Sequence, residues 1–249
     1  MFLTFEGIEN VRDLGGLLRV DGAKTKSGVL LRAGRLEHAT DGDIRRLADM
    51  GLAAVIDFRD PGELLRAPDR EVPGAAFHHL PALPDLSKNF KPVDDDSYTA
   101  EEVRRDFRRI YGYLAQSVEA QEAYAAFFRV LLASEGKPVL WHCTQGKDRT
   151  GVAALLLLTA LGIDEETILR DYLLTNEFTG PILQSFERME EPPFPKDMAR
   201  EVFLVFEENL KFYVNCLELE YGSVTNYLEL ALGVGPEEIE TLEKYYLEW

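Results

Sequence analysis

Long apolar runs, cysteine and positive charge are all scarce in this 249-residue sequence. The longest apolar stretch, 152–158 with its continuation to Leu161, covers about half of the ~20 residues that a membrane-crossing helix requires. The opening MFLTFEGIENVRDLGG has no basic segment leading into an apolar run, so it does not read as a secretory leader. A cytoplasmic protein without stable membrane insertion is expected, with secretion by a route lacking a cleaved signal left open. The two cysteines, Cys143 and Cys216, are too few for a disulfide framework, and free thiols are expected. Cys216 reads most simply as a packed core residue. The four histidines, His78 and His79 among them, make no zinc-ligand spacing with these cysteines, so neither a metal nor another cofactor is expected. Twenty-seven Lys and Arg against 44 Asp and Glu leave a net charge of −17, which disfavours nucleic acid and anionic bilayers as partners.

The residues that are present describe a globular α/β chain, expected as one domain over 1–249. Leu17–Val20 and Val29–Leu31 read as short strands. Thr40 with Asp43 forms a capping box for a helix stopping near Gly51. Ala53–Phe58 suits a buried strand and Ala75–Leu80 another, followed by a polar loop from Pro84 to Tyr98. Helices are expected over Ala100–Ser117, Ala120–Ala133, Thr150–Leu161 and Glu165–Leu174, with amphipathic helical material later. Within that material, 196–222 is a candidate lid, although packing against the core is the simpler reading of its apolar residues.

The chemistry concentrates where a short strand candidate, Val139–Trp141, runs into HCTQGKDRTG and then an apolar helix. A cysteine between a strand end and a helix start meets backbone N–H groups and the positive end of the helix dipole, which favour an ionised sulfur. Amides from Thr144 through Gln145, Gly146 and Lys147 to Arg149 can form a nest around phosphate oxygens, and Gly146 permits the turn that brings the backbone close. Arg149 offers a planar fork for two equatorial oxygens. Cys143 is therefore the candidate nucleophile in a phosphocysteine mechanism, with Thr150 placed to donate to its sulfur. His142 is expected to hold the loop rather than act as a base. The order of residues is not that of a nucleotide-binding P-loop. A cysteine hydrolase for acyl substrates is a weaker reading, because His142 is adjacent in sequence rather than converging in space.

The stretch HCTQGKDRTG resembles the catalytic loop of the cysteine-dependent protein tyrosine phosphatases. It is most similar to their atypical bacterial branch, which also shows similarity to dual-specificity and phosphoinositide phosphatases. The likeness continues through NVRDLGG at 10–16, LLRAGRL at 30–36, VIDFRDPGEL at 55–64, RDYLLTN at 170–176 and YGSVTNYLELALGV at 221–234. It implies a phosphatase-type central sheet flanked by helices, with additional C-terminal or lid helices. It also implies Cys143 as nucleophile and Arg149 as phosphate clamp. A Trp-Pro-Asp acid loop is absent. By analogy with the branch, Asp148 is the expected general acid, with Asp85 as the alternative and Asp57 and Asp60 behind them. Lys147 is either a contact for a second anionic group or a counter-charge to Asp148. Arg12 and Asp13 are expected to brace the loop, and Arg32, Asp57 and Arg59 to act around it.

The expected reaction is metal-independent hydrolysis of phosphotyrosine, with phosphoserine or phosphothreonine as further substrates. From Glu207 onward ten Glu face only Lys211 and Lys244, an acidic field suited to a phosphoprotein or peptide with basic flanks. A phosphoinositide phosphatase and a catalytically weak phosphate-binding module are the alternatives.

Overall fold

The computed structural model describes residues 2–83 and 98–249. A five-stranded sheet has the order β1-β3-β6-β4-β5. Its strands are β1 (Arg12–Asp13), β3 (Leu30–Ala33), β4 (Ala54–Asp57), β5 (Ala76–His79) and β6 (Val139–His142). The last four run parallel, and β1 joins β3 antiparallel at the edge. A two-stranded ribbon of β2 (Lys24–Thr25) and β7 (Leu247–Glu248) ties the two chain ends together.

Strand alternation divides the core. Ala54 and Ile56 of β4, with Val139 and Trp141 of β6, face a large cluster shared with α3 (Ala100–Gln116), α4 (Val118–Ala133) and α5 (Asp148–Ala160). Val55 and Leu140 point the other way, toward Ile44 and Leu47 of α1 (Asp41–Asp49). Helices thus cover both faces, as parallel sheets require. The α5 helix is apolar around its whole circumference because it is buried against β6, with Val152, Leu156, Leu157 and Leu158 fully enclosed. The Thr40–Asp43 capping box opens α1 as expected.

Three boundaries differ from the sequence expectation. Leu17–Val20 forms no strand: Leu18 and Arg19 make isolated bridges, while Leu18 and Val20 stand 62% and 93% exposed in a tight turn. The helix expected to end at Leu174 continues as α6 (Glu165–Glu187) through Pro181, because Leu183 and Phe186 pack on Ala199. The helix expected from Thr150 begins at Asp148, bringing both Asp148 and Arg149 into its first turn. The loop expected over Pro84–Tyr98, and Asp85 with it, lies outside the described residues apart from Tyr98.

The candidate lid divides in two. The α8 helix (Glu207–Tyr221) buries Leu210, Tyr213 and Leu217 in the main core. The preceding α7 (Ala199–Phe203) instead rests on two small clusters, one with Tyr98 and Val103 and one with Leu183 and Phe186. Beyond α8 lie α9 (Val224–Leu230) and α10 (Pro236–Tyr246). None of the helices described is long and apolar enough to cross a membrane.

Candidate active site

Cys143 follows directly on β6, the central strand, at the carboxyl end of the parallel strands, where open α/β sheets bind ligands. It is 2% exposed. Residues 144–147 bend away from the strand before α5 begins at Asp148. Among the described residues, no acceptor receives a backbone N–H from 144–147, and the first turn of α5 adds the N–H groups that every helix start leaves unsatisfied. Gly146 makes the bend: its φ is +66°, and a Cβ there would lie 2.3 Å from the Ala33 carbonyl oxygen. The helix start is held from beneath by Trp141 Nε1, which donates to the Thr150 carbonyl, and by the Tyr124 hydroxyl, which donates to that of Arg149.

A buried polar layer grips the loop's carbonyl side. Asn10, in the left-handed region at φ +54°, donates through Nδ2 to the carbonyls of Gln145 and Gly146 at 2.9 and 3.0 Å. Arg32 Nη2 reaches the Gly146 carbonyl at 2.9 Å. Arg12 donates to the Asn10 side chain, and both arginines converge on Asp171. Burial, then the adjacent Arg32, lower the Arg12 guanidinium to about 9. Burial works against the Asp171 charge, but Arg32 and Arg12 override it and hold the carboxyl below its usual range. Arg12 thus reaches the loop through Asn10. The Asp13 carboxylate accepts from Gly15 N and Gly28 N in a neighbouring turn.

His142 is fully buried, its Nδ1 3.2 Å from the Cys143 carbonyl and its Nε2 3.1 Å from Asp69 Oδ2. Desolvation opposes protonation, but Asp69 and Asp57 outweigh it and raise the imidazole's pKa. Asp57, Asp69 and His142 bring three donor atoms within 4.8 Å of one another. Arg59 Nη2 already lies 2.9 Å from Asp57 and 2.8 Å from Asp69, so a guanidinium serves as their counter-ion and the group is an ion-pair cluster. Asp57 is fully enclosed in it and accepts from Arg59.

Over the loop, Glu63 accepts from both Arg149 terminal nitrogens and from the Thr144 hydroxyl. The same carboxylate accepts the Asp60 N–H at 2.9 Å, completing the capping box of α2 (Pro61–Arg66). Although burial opposes charge on both partners, their pairing drives Glu63 far below, and Arg149 far above, the ordinary value. Burial and the nearby Glu63 push the Asp60 carboxyl up. Asp148 Oδ1 accepts from the Tyr111 hydroxyl at 2.8 Å, and Tyr111 shares a 2.6 Å hydrogen bond with Tyr172. Lys147 is nearly buried: Nζ donates to the Val202 carbonyl of α7 at 2.6 Å and sits 4.3 Å above the Phe107 ring. Gln145 is half-buried at the loop's edge. The Thr150 hydroxyl is buried without a hydrogen-bond partner among the described residues, so the expected donation to Cys143 is not formed.

The structure therefore gathers Cys143, Thr144, Gly146, Lys147, Asp148 and Arg149 around one loop. It adds Asn10, Glu63, Asp69, Tyr111, Asp171 and Tyr172, to which sequence reasoning gave no role. Asn10, Glu63, Asp171 and Tyr172 lay within the stretches already conspicuous in the sequence, whereas Asp69 and Tyr111 carried no signal there.

A sequence profile described as the tyrosine phosphatase family matches residues 3–248. A putative tyrosine-protein phosphatase of Cupriavidus necator is 35% identical, with 98% of this chain and 88% of that protein covered. The triple specificity protein phosphatase PtpB of Mycobacterium tuberculosis is 28% identical over 79% of this chain and 78% of its own. The crystal structure of Pseudomonas aeruginosa TpbA gives 17% identity and a TM-score of 0.33 over 61% of this chain and 71% of that one. On the profile match and the Cupriavidus relative, the chain belongs to the tyrosine phosphatase family.

Proposed function

We propose that the chain is a metal-independent phosphatase acting on phosphotyrosyl proteins or peptides, with Cys143 as nucleophile. What supports this reading is one loop in which Cys143 is buried, the amides of 144–147 reach no acceptor among the described residues, and Arg149 is anchored by Glu63. Such a cradle offers directed N–H groups to a dianion and to the charge of a trigonal-bipyramidal phosphorus.

The Cys143 thiolate attacks phosphorus in line with the tyrosyl oxygen. The S–P bond forms as the P–O bond breaks, and the departing oxygen takes a proton from Asp148. Tyr111 donates to Oδ1 of that carboxyl, and Oδ2 lies 3.7 Å from Lys147 Nζ. Water then attacks phosphorus, yields a proton to the Asp148 carboxylate, and releases inorganic phosphate and the thiolate. Arg149 steadies the equatorial oxygens in both steps. Glu63 keeps its guanidinium oriented, and Gly146 and Asn10 fix the loop beneath.

The engagement of Lys147 with Val202 and Phe107 favours a phosphotyrosyl substrate over an inositide, since this ammonium is occupied while α7 lies against it. The α7 segment is accordingly read as the lid, α8 as its fixed support. The acidic surface suits basic flanks, and phosphoserine or phosphothreonine substrates remain within the chemistry. Hydrolysis of p-nitrophenyl phosphate in EDTA by the wild type, Cys143→Ser, Asp148→Asn and Asp60→Asn tests the reading. Activity is expected to vanish with Cys143→Ser and to fall steeply with Asp148→Asn. Loss confined to Asp60→Asn would move the acid to Asp60, and phosphate binding without turnover in the wild type would leave a binding module.

A further inference from the structure

A cavity of about 250 Å³ opens beside the cradle, between the N-terminal segment and the second half of α6. Phe2, Phe178 and Ile182 supply its apolar wall, Gln145 its edge toward the loop, and Glu6 and Glu9 acidic positions along it. The wall is preassembled, with the rings of Phe2 and Phe178 meeting edge to face at 4.6 Å. Both glutamates are exposed, and neither carboxylate has a hydrogen bond or ion pair among the described residues. Elsewhere around the site acids are spoken for: Glu63 by Arg149, Asp57 and Asp69 by Arg59, Asp171 by Arg12 and Arg32.

Position makes the cavity relevant to substrate. Gln145 is two residues beyond Cys143, hence within about 7.6 Å of it along the backbone. Asn10 lines the same cavity and holds the Gln145 and Gly146 carbonyls. A peptide whose phosphotyrosine fills the cradle therefore carries its neighbouring residues across this opening. The volume falls below the ~300–1,000 Å³ usual for small-molecule sites and suits one large side chain.

We infer that this cavity is a specificity subsite of the phosphatase for a phosphotyrosyl peptide. A large apolar residue next to the phosphotyrosine fills the apolar wall, and an arginine or lysine beyond it faces Glu6 and Glu9. The inference rests on the phosphatase reading and adds to it the sequence that the site selects. Two unpaired carboxylates attract a cationic flank and repel an acidic one, and this discrimination weakens as salt screens it.

The test uses the full chain and four phosphotyrosyl peptides, with Leu or Asp next to phosphotyrosine and Arg or Glu beyond it. Each is assayed for kcat and KM at low and physiological salt, and for binding to Cys143→Ser by fluorescence anisotropy. The wild type is expected to prefer the Leu-Arg peptide to the Asp-Glu peptide by about tenfold or more, mainly through KM. The double variant Glu6→Gln/Glu9→Gln removes the Arg preference and its salt dependence. Ile182→Trp, which fills the cavity, removes the Leu preference. Both variants leave p-nitrophenyl phosphate hydrolysis unchanged. Peptide preferences that survive both variants overturn the subsite. Failure of the wild type to hydrolyse p-nitrophenyl phosphate refutes the catalytic reading instead, and the anisotropy series then still decides the subsite.

Discussion

Replacing Glu63 by Gln isolates the charge that anchors Arg149. Glutamine retains an oxygen to accept the Asp60 N–H, so the cap of α2 survives, but the ion pair does not. The Arg149 and Glu63 side chains are 12% and 22% exposed, between the surface and fully buried cases. Exposed pairs contribute about 0.2–1 kcal/mol, and breaking buried ones costs about 3–5 kcal/mol, so a loss of about 2 kcal/mol is expected here. At 2–4 °C per kcal/mol for a chain of this size, Tm should fall by about 4–8 °C at pH 7. The pH dependence identifies the cause. The Glu63 carboxyl is depressed in the fold, so its stabilisation is complete above its unfolded value near 4.5 and is lost as pH falls toward the folded value. At about 1.4 kcal/mol per pH unit, the gap between wild type and variant should close near pH 3. Asp60, raised by burial and by Glu63, titrates with the opposite sign and delays the closure slightly. Calorimetric scans from pH 7 to pH 3 measure this directly. A gap that is the same at both ends, or no gap at all, refutes the assigned ion pair.

Gly146→Ala forces a side chain into the left-handed region and onto the Ala33 carbonyl; a displacement of about 1 Å should lower kcat by roughly 100-fold, read by steady-state kinetics. Tyr111→Phe removes a donor to Asp148 and should slow hydrolysis by about tenfold. The loss should be larger for phenyl phosphate than for p-nitrophenyl phosphate, whereas equal losses would indicate a merely structural role. Lys147→Met removes the ammonium held by Val202, so amides of α7 should exchange with deuterium about tenfold faster while those of α8 stay unchanged. Equal protection of α7 in both proteins would count against the latch.

The cradle was legible because its parts are consecutive: a strand end, five residues and a helix start lie within one stretch of sequence. Its supports were not, because they are distant in the chain. Glu63 and Arg149 are 86 residues apart, Arg12 and Asp171 159, and Asn10 and Gly146 136. No local periodicity links such pairs; only the parallel sheet brings them together at one edge. The same distinction explains the fold. The Thr40–Asp43 box and the buried β4 run declared themselves locally. The Leu17–Val20 run looked like a strand, but it forms only isolated bridges, Leu18 to nearby Lys24 and Arg19 to distant Ile163, and turns back at Asp21-Gly22. The α6 helix passes Pro181 because its later turns pack on α7, which no reading of 165–187 alone contains.

Rapid quenching during turnover of a ³²P-labelled phosphotyrosyl peptide in EDTA, followed by peptide mapping, tests the central claim most directly. Acid-quenched enzyme should carry label on the peptide containing Cys143 and on no other, and Cys143→Ser should carry none. Label on a different residue, or undiminished release of phosphate by Cys143→Ser, would contradict the account.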